Sequence, residues 1–173
     1  MLAAYLHTLP GTPFVFQGEE FGMTNVAYPS IEDYDDIDTR NDYKTMIEQG
    51  ASPEESLAES QSISRDNART PVQWDDSLYA GFSTHKPWIG VNPNYKEINA
   101  ASQMKDDNSV FRFYQKLIAL RKEHPVMAHG DFKLCCSEKG PVIAYTRNYQ
   151  GETWMAVHNF SKETQELAYK ETE

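Results

Sequence analysis

Three groups of residues in this 173-residue chain have the types and spacing for chemistry on a small polar ligand. The first is Gln17-Gly18-Glu19-Glu20, set directly after the apolar run Phe14-Val15-Phe16. Ligands gather beyond the carboxyl ends of strands in α/β folds, and adjacent carboxylates there can orient a sugar or stabilise a developing cation. The structural alternative is that one carboxylate anchors the loop through backbone N–H groups or an arginine while the other faces water. The second group is Arg65-Asp66-Asn67-Ala68-Arg69-Thr70-Pro71-Val72-Gln73-Trp74-Asp75. An arginine fork suits a carboxylate or paired sugar hydroxyls, Asn67 and Gln73 each donate and accept, and Trp74 offers a flat apolar face. The same residues could instead lock an irregular loop, with Arg–Asp pairs as its fastenings and the tryptophan as its small core. The third group, Phe82, Trp88, Asn92-Pro93-Asn94-Tyr95 and Asn99, reads mainly as turn-forming sequence.

Other chemistries lack their signatures. The five histidines show no metal-ligand spacing, and neither a Gly-rich phosphate loop nor a nucleophile elbow is present. No metal and no cofactor is therefore expected. With 16 Lys and Arg against 26 Asp and Glu the formal charge is −10, which argues against nucleic acid or an anionic membrane surface as partner. No apolar run approaches the length of a membrane span. Cys135 and Cys136 are adjacent, so a bond between them would strain the backbone, and two free thiols fit a reducing, cytoplasmic setting. The opening stretch has no basic region, and its apolar run is broken by His7, Thr8 and Pro10, unlike a secretion signal. It reads as the interior of a fold whose earlier part is absent.

The elements around these groups must position them. Residues 2–8 read as the last turns of a helix closed by Pro10-Gly11, and Thr12 to Gln17 as a strand buried on both sides, as in a parallel sheet. Nothing later supplies parallel neighbours, so that strand is expected to borrow them from sequence outside the chain. Thr39 to Gln49 reads as a helix stopped by Gly50. Ser52 caps the next helix, with Pro53 at its first position and Glu55 completing a capping box, and its end is expected near Ser60. Periodicity disappears over 63–99, and a long irregular region inside a compact domain is often functional. The strongest helix is 108–123, capped by Asp107 or Asn108 and stopped by Pro125. Three strands follow, at 132–134, 142–145 and 154–157, punctuated by Gly140-Pro141 and Gln150-Gly151, as the start of an antiparallel domain with an open edge.

The stretch Pro10-Gly11-Thr12-Pro13-Phe14-Val15-Phe16-Gln17-Gly18-Glu19-Glu20-Phe21-Gly22-Met23 resembles the eighth barrel strand and following loop of alpha-amylase superfamily enzymes, glycoside hydrolase family 13. The Arg65–Asp75 motif, Ala80-Gly81-Phe82-Ser83 and Val91-Asn92-Pro93-Asn94-Tyr95 follow in the order seen in its oligo-1,6-glucosidase and dextran glucosidase branch. Trehalose-6-phosphate hydrolases and sucrose isomerases are near relatives of that branch. The resemblance implies an α/β parent, a (β/α)8 TIM barrel followed by an antiparallel β domain. Residues 1–128 would hold strand eight, the long eighth loop and the final barrel helix, and 129–173 the start of the β-sandwich.

It further implies that the parent hydrolyses α-1,6-glucosidic bonds of isomalto-oligosaccharides with retention and without an organic cofactor. Trehalose-6-phosphate hydrolysis and sucrose isomerisation are the alternatives. Retention needs two flanking carboxylates roughly 5–5.5 Å apart. The family carries its nucleophile, acid and stabilising aspartate after the fourth, fifth and seventh strands, and none of those motifs occurs here. Glu19 and Glu20 are therefore not the acid or nucleophile, and the chain by itself is expected to be inactive, a structural, assembly or weakly sugar-binding segment. What carries over is the rim. Arg69 matches the arginine facing the cleft near the reducing-side subsites, with Arg65 and Asp66 shaping the same loop. Asp38 falls where relatives often carry a Glu near the leaving-group sugar, and Glu20 completes the candidate substrate contacts. Val72 replaces the Met usual before Gln-Trp, a change bearing on packing. The expected partner is a small oligosaccharide, with self-association through exposed barrel surfaces.

Overall fold

The computed structural model describes residues 1–135 and 140–167. The chain forms two compact units, one joining Met1–Val15 to the chain from Phe113 onward and the other comprising Phe16–Arg112. The first unit forms because the first helix packs with the last helices and the sheet.

In the first unit, α1 (Leu2–Thr8) packs beside α6 (Pro125–His129) and the sheet, and Ala3 forms a small core with Tyr114 and Leu117 of α5 (Val110–Glu123). The sheet is β1 (Lys133–Leu134), β2 (Val142–Tyr149) and β3 (Glu152–Asn159), antiparallel in that order. Its β2–β3 register runs from Val142↔Asn159 to Tyr149↔Glu152, closed by the two-residue turn Gln150-Gly151 with φ of 51° and 87°. Positive φ at both positions is what a tight hairpin of matching twist requires, and Gly151 supplies it without steric cost. Ala144, Tyr145, Thr146 and Arg147 are all buried, so the middle of β2 is covered on both faces.

Two arginines fasten this unit through carbonyl oxygens. Arg147, 1% exposed, donates to Asp131 O at 2.6 Å, Thr8 O at 2.6 Å, Met127 O at 2.9 Å and Gly130 O at 2.8 Å. Arg121 donates to His7, Leu9, Met127 and Gly11 carbonyls. The C-terminal ends of α1 and α6 thus receive the donors that a helix end lacks. Burial, and then Arg121, push the Arg147 pKa below its ordinary value. Gly130 sits against this clamp, and a Cβ there would clash with the Val126 carbonyl oxygen.

Beside the clamp, Thr8 Oγ1 lies 2.6 Å from Tyr145 Oη and 3.2 Å from His158 Nε2, which is 3.3 Å from Tyr145 Oη. Burial pushes the His158 imidazole below its ordinary value of 6.5, and the N-terminal ammonium adds to the shift. The unfolded imidazole therefore takes up its proton at higher pH than the folded one. Stability is full above the unfolded value and is lost as pH falls from there toward the folded pKa. Thermal unfolding followed from about pH 8 to about pH 5 is expected to show a midpoint that declines below the mid-sixes, with a shallower decline in His158→Gln. A pH slope unchanged by that substitution would count against the assignment.

In the second unit α2 (Ile37–Glu48) packs on α3 (Pro53–Ile63), whose start carries the expected capping box between Ser52 and Glu55. Small cores form from Val26, Tyr28 and Tyr34, and from Phe21, Val72 and Ala100 with Phe111 stacked on Phe21 at 5.9 Å. The irregular stretches are held by side chains that stand in for ladder hydrogen bonds. Asn67 accepts from Val26 N and donates to Gln61 O, and Asn92 donates to Thr24 O and Asn25 O. Such bonds let irregular backbone be buried with its polar groups paired. Tyr28 donates to Gly90 O at 2.5 Å, and burial, helped by the charge of Asp66, pushes its pKa up to about 12.

Several expectations need correction. Residues 12–17 form no strand, and Phe14, Val15 and Phe16 are 83%, 40% and 55% exposed. A parallel strand exists only through its neighbours, and among the described residues none pairs with it. Ser109, not Asp107 or Asn108, caps α5, its hydroxyl accepting from Arg112 N at 3.2 Å. Pro125 ends α5 and also opens α6, since proline suits a first helical turn. The α3 helix continues to Ile63, and α4 (Ala100–Lys105), capped by Asn99, was not anticipated. Cys135 is a free thiol, while Cys136 lies outside the described residues.

Candidate functional site

The start of α2 and the short helical turn Arg65–Ala68 bring five charged side chains into one line in the second unit. Asp38 meets Arg65 Nη2 at 2.6 Å, and the same nitrogen meets Asp36 at 2.5 Å. Asp36 lies 3.6 Å from Arg69 Nη1, which reaches Asp66 at 3.3 Å. Charges alternate along the row, and exposure falls from 64% at Asp38 to 3% at Asp36 and 0% at Asp66. Three carboxylates against two guanidiniums leave one negative charge unmatched, and the exposed Asp38 end faces solvent.

Local sequence explains the arrangement. Ser64 accepts from Asp66 N and starts the turn that carries Arg65 and Asp66. Asp66 Oδ2 accepts from Asp35 N at 2.7 Å and Asp36 N at 3.0 Å, pinning the residues that lead into α2. Asp36 stands at the N-cap position of α2, but its carboxylate turns to Thr39 Oγ1 and to Arg65 Nε and Nη2. The Arg65 hydrogen bond holds the Asp36 carboxyl far below the usual carboxylate range, against the opposing effect of burial, so it is ionised throughout the neutral range.

The two arginines differ in what they have left to give. Arg65 spends Nε and Nη2 on carboxylates, whereas Arg69, 40% exposed, is held by Nη1 alone. Its Nε and Nη2 have no partner among the described residues, so Arg69 keeps two open planar nitrogens where Arg65 keeps only Nη1. A cavity of about 300 Å³ in the same unit is lined by Phe16, Gln17, Glu19, Asn25, Ala68 and Thr70 among others; the last two flank Arg69 in sequence, but none of the five charged side chains lines it. That volume is at the lower end of small-molecule sites and suits one sugar ring.

Of the four sequence candidates, Arg69, Arg65 and Asp38 come together, and Glu20 shares no hydrogen bond or ion pair with them. Glu20 sits in the turn Glu19–Phe21, with Oε2 buried and without a hydrogen-bond partner among the described residues. Asp36 carries no sequence signal of its own, because it precedes the helix read from Thr39, which in the structure starts at Ile37; the Asp36-to-Thr39 spacing is its only trace. Gln73 is fully buried and donates to Asn94 Oδ1 and Ile98 O, so it holds the loop, as Asn67 does. Trp74 packs edge-on against Phe21 while remaining 49% exposed. Among the described residues, no group of His, Cys, Asp and Glu could hold a metal ion, and no helix is long and apolar enough to cross a membrane.

Comparison with known proteins sets this cluster in context. The chain is 51% identical over 160 residues to an oligo-1,6-glucosidase of Halalkalibacterium halodurans, covering 92% of this chain and 28% of that protein. It is 42% identical over 165 residues to a trehalose-6-phosphate hydrolase of Escherichia coli, covering 95% of this chain and 30% of the other. Among solved structures it matches the trehalulose synthase MutB of Pseudomonas mesoacidophila MX-45 with a TM-score of 0.85 and 48% identity, over 94% of this chain and 29% of that one. The chain thus spans less than a third of the length of these relatives, and what it holds is a part of their barrel-plus-β-domain fold. The alpha-amylase catalytic-domain profile matches residues 1–130. Motif order, fold and relatives agree, and the chain belongs to the alpha-amylase family, glycoside hydrolase family 13.

Proposed function

We propose that the protein carrying this chain hydrolyses α-1,6-glucosidic bonds of isomalto-oligosaccharides with retention, and that this chain supplies the reducing-side rim of its cleft. The observation that carries the reading is Arg69, held at one end by buried carboxylates with Nε and Nη2 left unspent and the side chain 40% exposed. Its open nitrogens donate to sugar hydroxyls, and the exposed carboxylate of Asp38 accepts from them. Similarity to an oligo-1,6-glucosidase at 51% identity supports this substrate class. A phosphorylated sugar suits the cluster less well, because it would bring negative charge toward Asp38 and a row already carrying one unmatched negative charge. Isomerisation of sucrose is the second reading, supported by 48% identity to a trehalulose synthase. In both readings residues 1–128 belong to the barrel and 129–173 to the β domain, and the setting is cytoplasmic.

The full-length gene product, assayed on isomaltose, isomaltotriose, sucrose and trehalose 6-phosphate, is expected to turn over the first two and release glucose. Turnover confined to sucrose or to the phosphorylated substrate would sink the assignment. In the same protein, Arg69→Ala is expected to lower kcat/KM on isomaltose by about 10- to 100-fold, the scale of a lost charged hydrogen bond. The 173-residue chain alone is expected to release no glucose, since no catalytic carboxylate of the family pattern lies in it.

A further inference from the structure

Asp36 is the residue on which the whole charge row converges. Its Oδ1 takes Arg65 Nη2 and Nε and faces Arg69 Nη1, while Oδ2 takes Arg65 Nε and Thr39 Oγ1. Its own backbone N–H is given to Asp66, which also pairs with Arg69. It is the middle member, and removing it splits the row into two separate pairs, Asp38–Arg65 and Arg69–Asp66.

We propose that Asp36 is a positioning residue that selects Arg69 as the sugar-contacting arginine, by occupying Arg65 and holding one end of the Arg69 guanidinium so that Nε and Nη2 face the ligand. This rests on the reading of Arg69 as a sugar contact given above. Asp36 is 3% exposed and has both oxygens engaged, so it does not touch the sugar itself. Its charge acts on Arg69 across 3.6 Å, an attraction that water screens only in part because Asp36 is buried although Arg69 is 40% exposed. Without it, Arg65 keeps only the exposed Asp38, and Arg69 keeps only the 3.3 Å contact to Asp66 Oδ1, whose partner oxygen is already spent on two backbone N–H groups. An Asn at position 36 would turn an amide toward two guanidiniums, and both would be free to reorient.

The test uses two substrates of the full-length gene product, isomaltose and an aryl α-glucoside whose leaving group has no hydroxyls to bind. The ratio of their kcat/KM values does not depend on the fraction of active protein, so partial misfolding cannot mimic the effect. Both Asp36→Asn and Arg69→Ala are expected to lower the isomaltose-to-aryl ratio about tenfold, the scale of one charge-assisted hydrogen bond. The double variant is expected to fall no further than Arg69→Ala alone, because Asp36 acts through Arg69. Asp36→Glu, which restores the charge, is expected to recover part of the ratio. Should Asp36→Asn yield too little active protein, Asp36→Glu alone and combined with Arg69→Ala carries the same comparison. Multiplying effects in the double variant, or an equal loss on both substrates in Asp36→Asn, would overturn the positioning role. A ratio unmoved by Arg69→Ala would instead overturn the sugar-contact reading beneath it.

Discussion

Arg147→Met is expected to destabilise the protein by on the order of 4 kcal/mol, enough to threaten folding of a domain with typical marginal stability. Four carbonyls, those of Thr8, Met127, Gly130 and Asp131, lose a charged donor at once. A buried acceptor left unpaired costs about 1–3 kcal/mol, and the sum is reduced because methionine no longer requires a guanidinium to be stripped of water. Chemical denaturation followed by circular dichroism measures the loss, and hydrogen exchange should locate it in β2 and β3. Arg147→Lys separates charge from geometry. An ammonium cannot reproduce the planar fork that reaches four oxygens, so most of the loss should remain. Recovery of near wild-type stability with lysine would mean that charge alone matters. Because Arg121 and Arg147 both donate to Met127 O, their substitutions are expected to combine non-additively.

Asp66→Ala should cost about 3 kcal/mol and act on the other unit. Its fully buried carboxylate is the acceptor for Asp35 N and Asp36 N and a partner for Arg69, so removal leaves two inward-facing N–H groups without an acceptor. Faster hydrogen exchange at Asp35, Asp36 and the first turn of α2, with β2 and β3 unchanged, is the expected signature. Uniform acceleration across both units would show instead that the two unfold as one. Asp66→Asn should be milder, since its amide oxygen can still accept from one of the two N–H groups.

The two expected results separate what was legible from what was not. The capping box at Ser52 and Glu55, the amphipathic 110–123 helix and the Gln150-Gly151 hairpin were readable because each is settled by residues a few positions apart. The Arg65–Arg69 motif could be singled out for its residue types, and Arg69, Arg65 and Asp38 do converge. Their division of labour was not visible. Whether an arginine is spent or open depends on carboxylates about thirty positions away, as the Asp36–Arg65 and Asp66–Asp36 bonds show.

The apolar run Phe14-Val15-Phe16 marks the opposite limit. Its composition specifies a strand, yet a strand's hydrogen bonds are made by other strands, and none pairs with it among the described residues. Arg147 gave no signal at all in a β-strand pattern, because its worth lies in carbonyls supplied by α1, by α6 and by the α6-to-β1 connection. The sequence by itself determined the local elements, the family motifs and the pool of polar residues from which a sugar rim could be built. Tertiary structure alone decided which of those residues are locked and which stay open, since a hydrogen-bonding group's availability is set by the partners that folding brings to it.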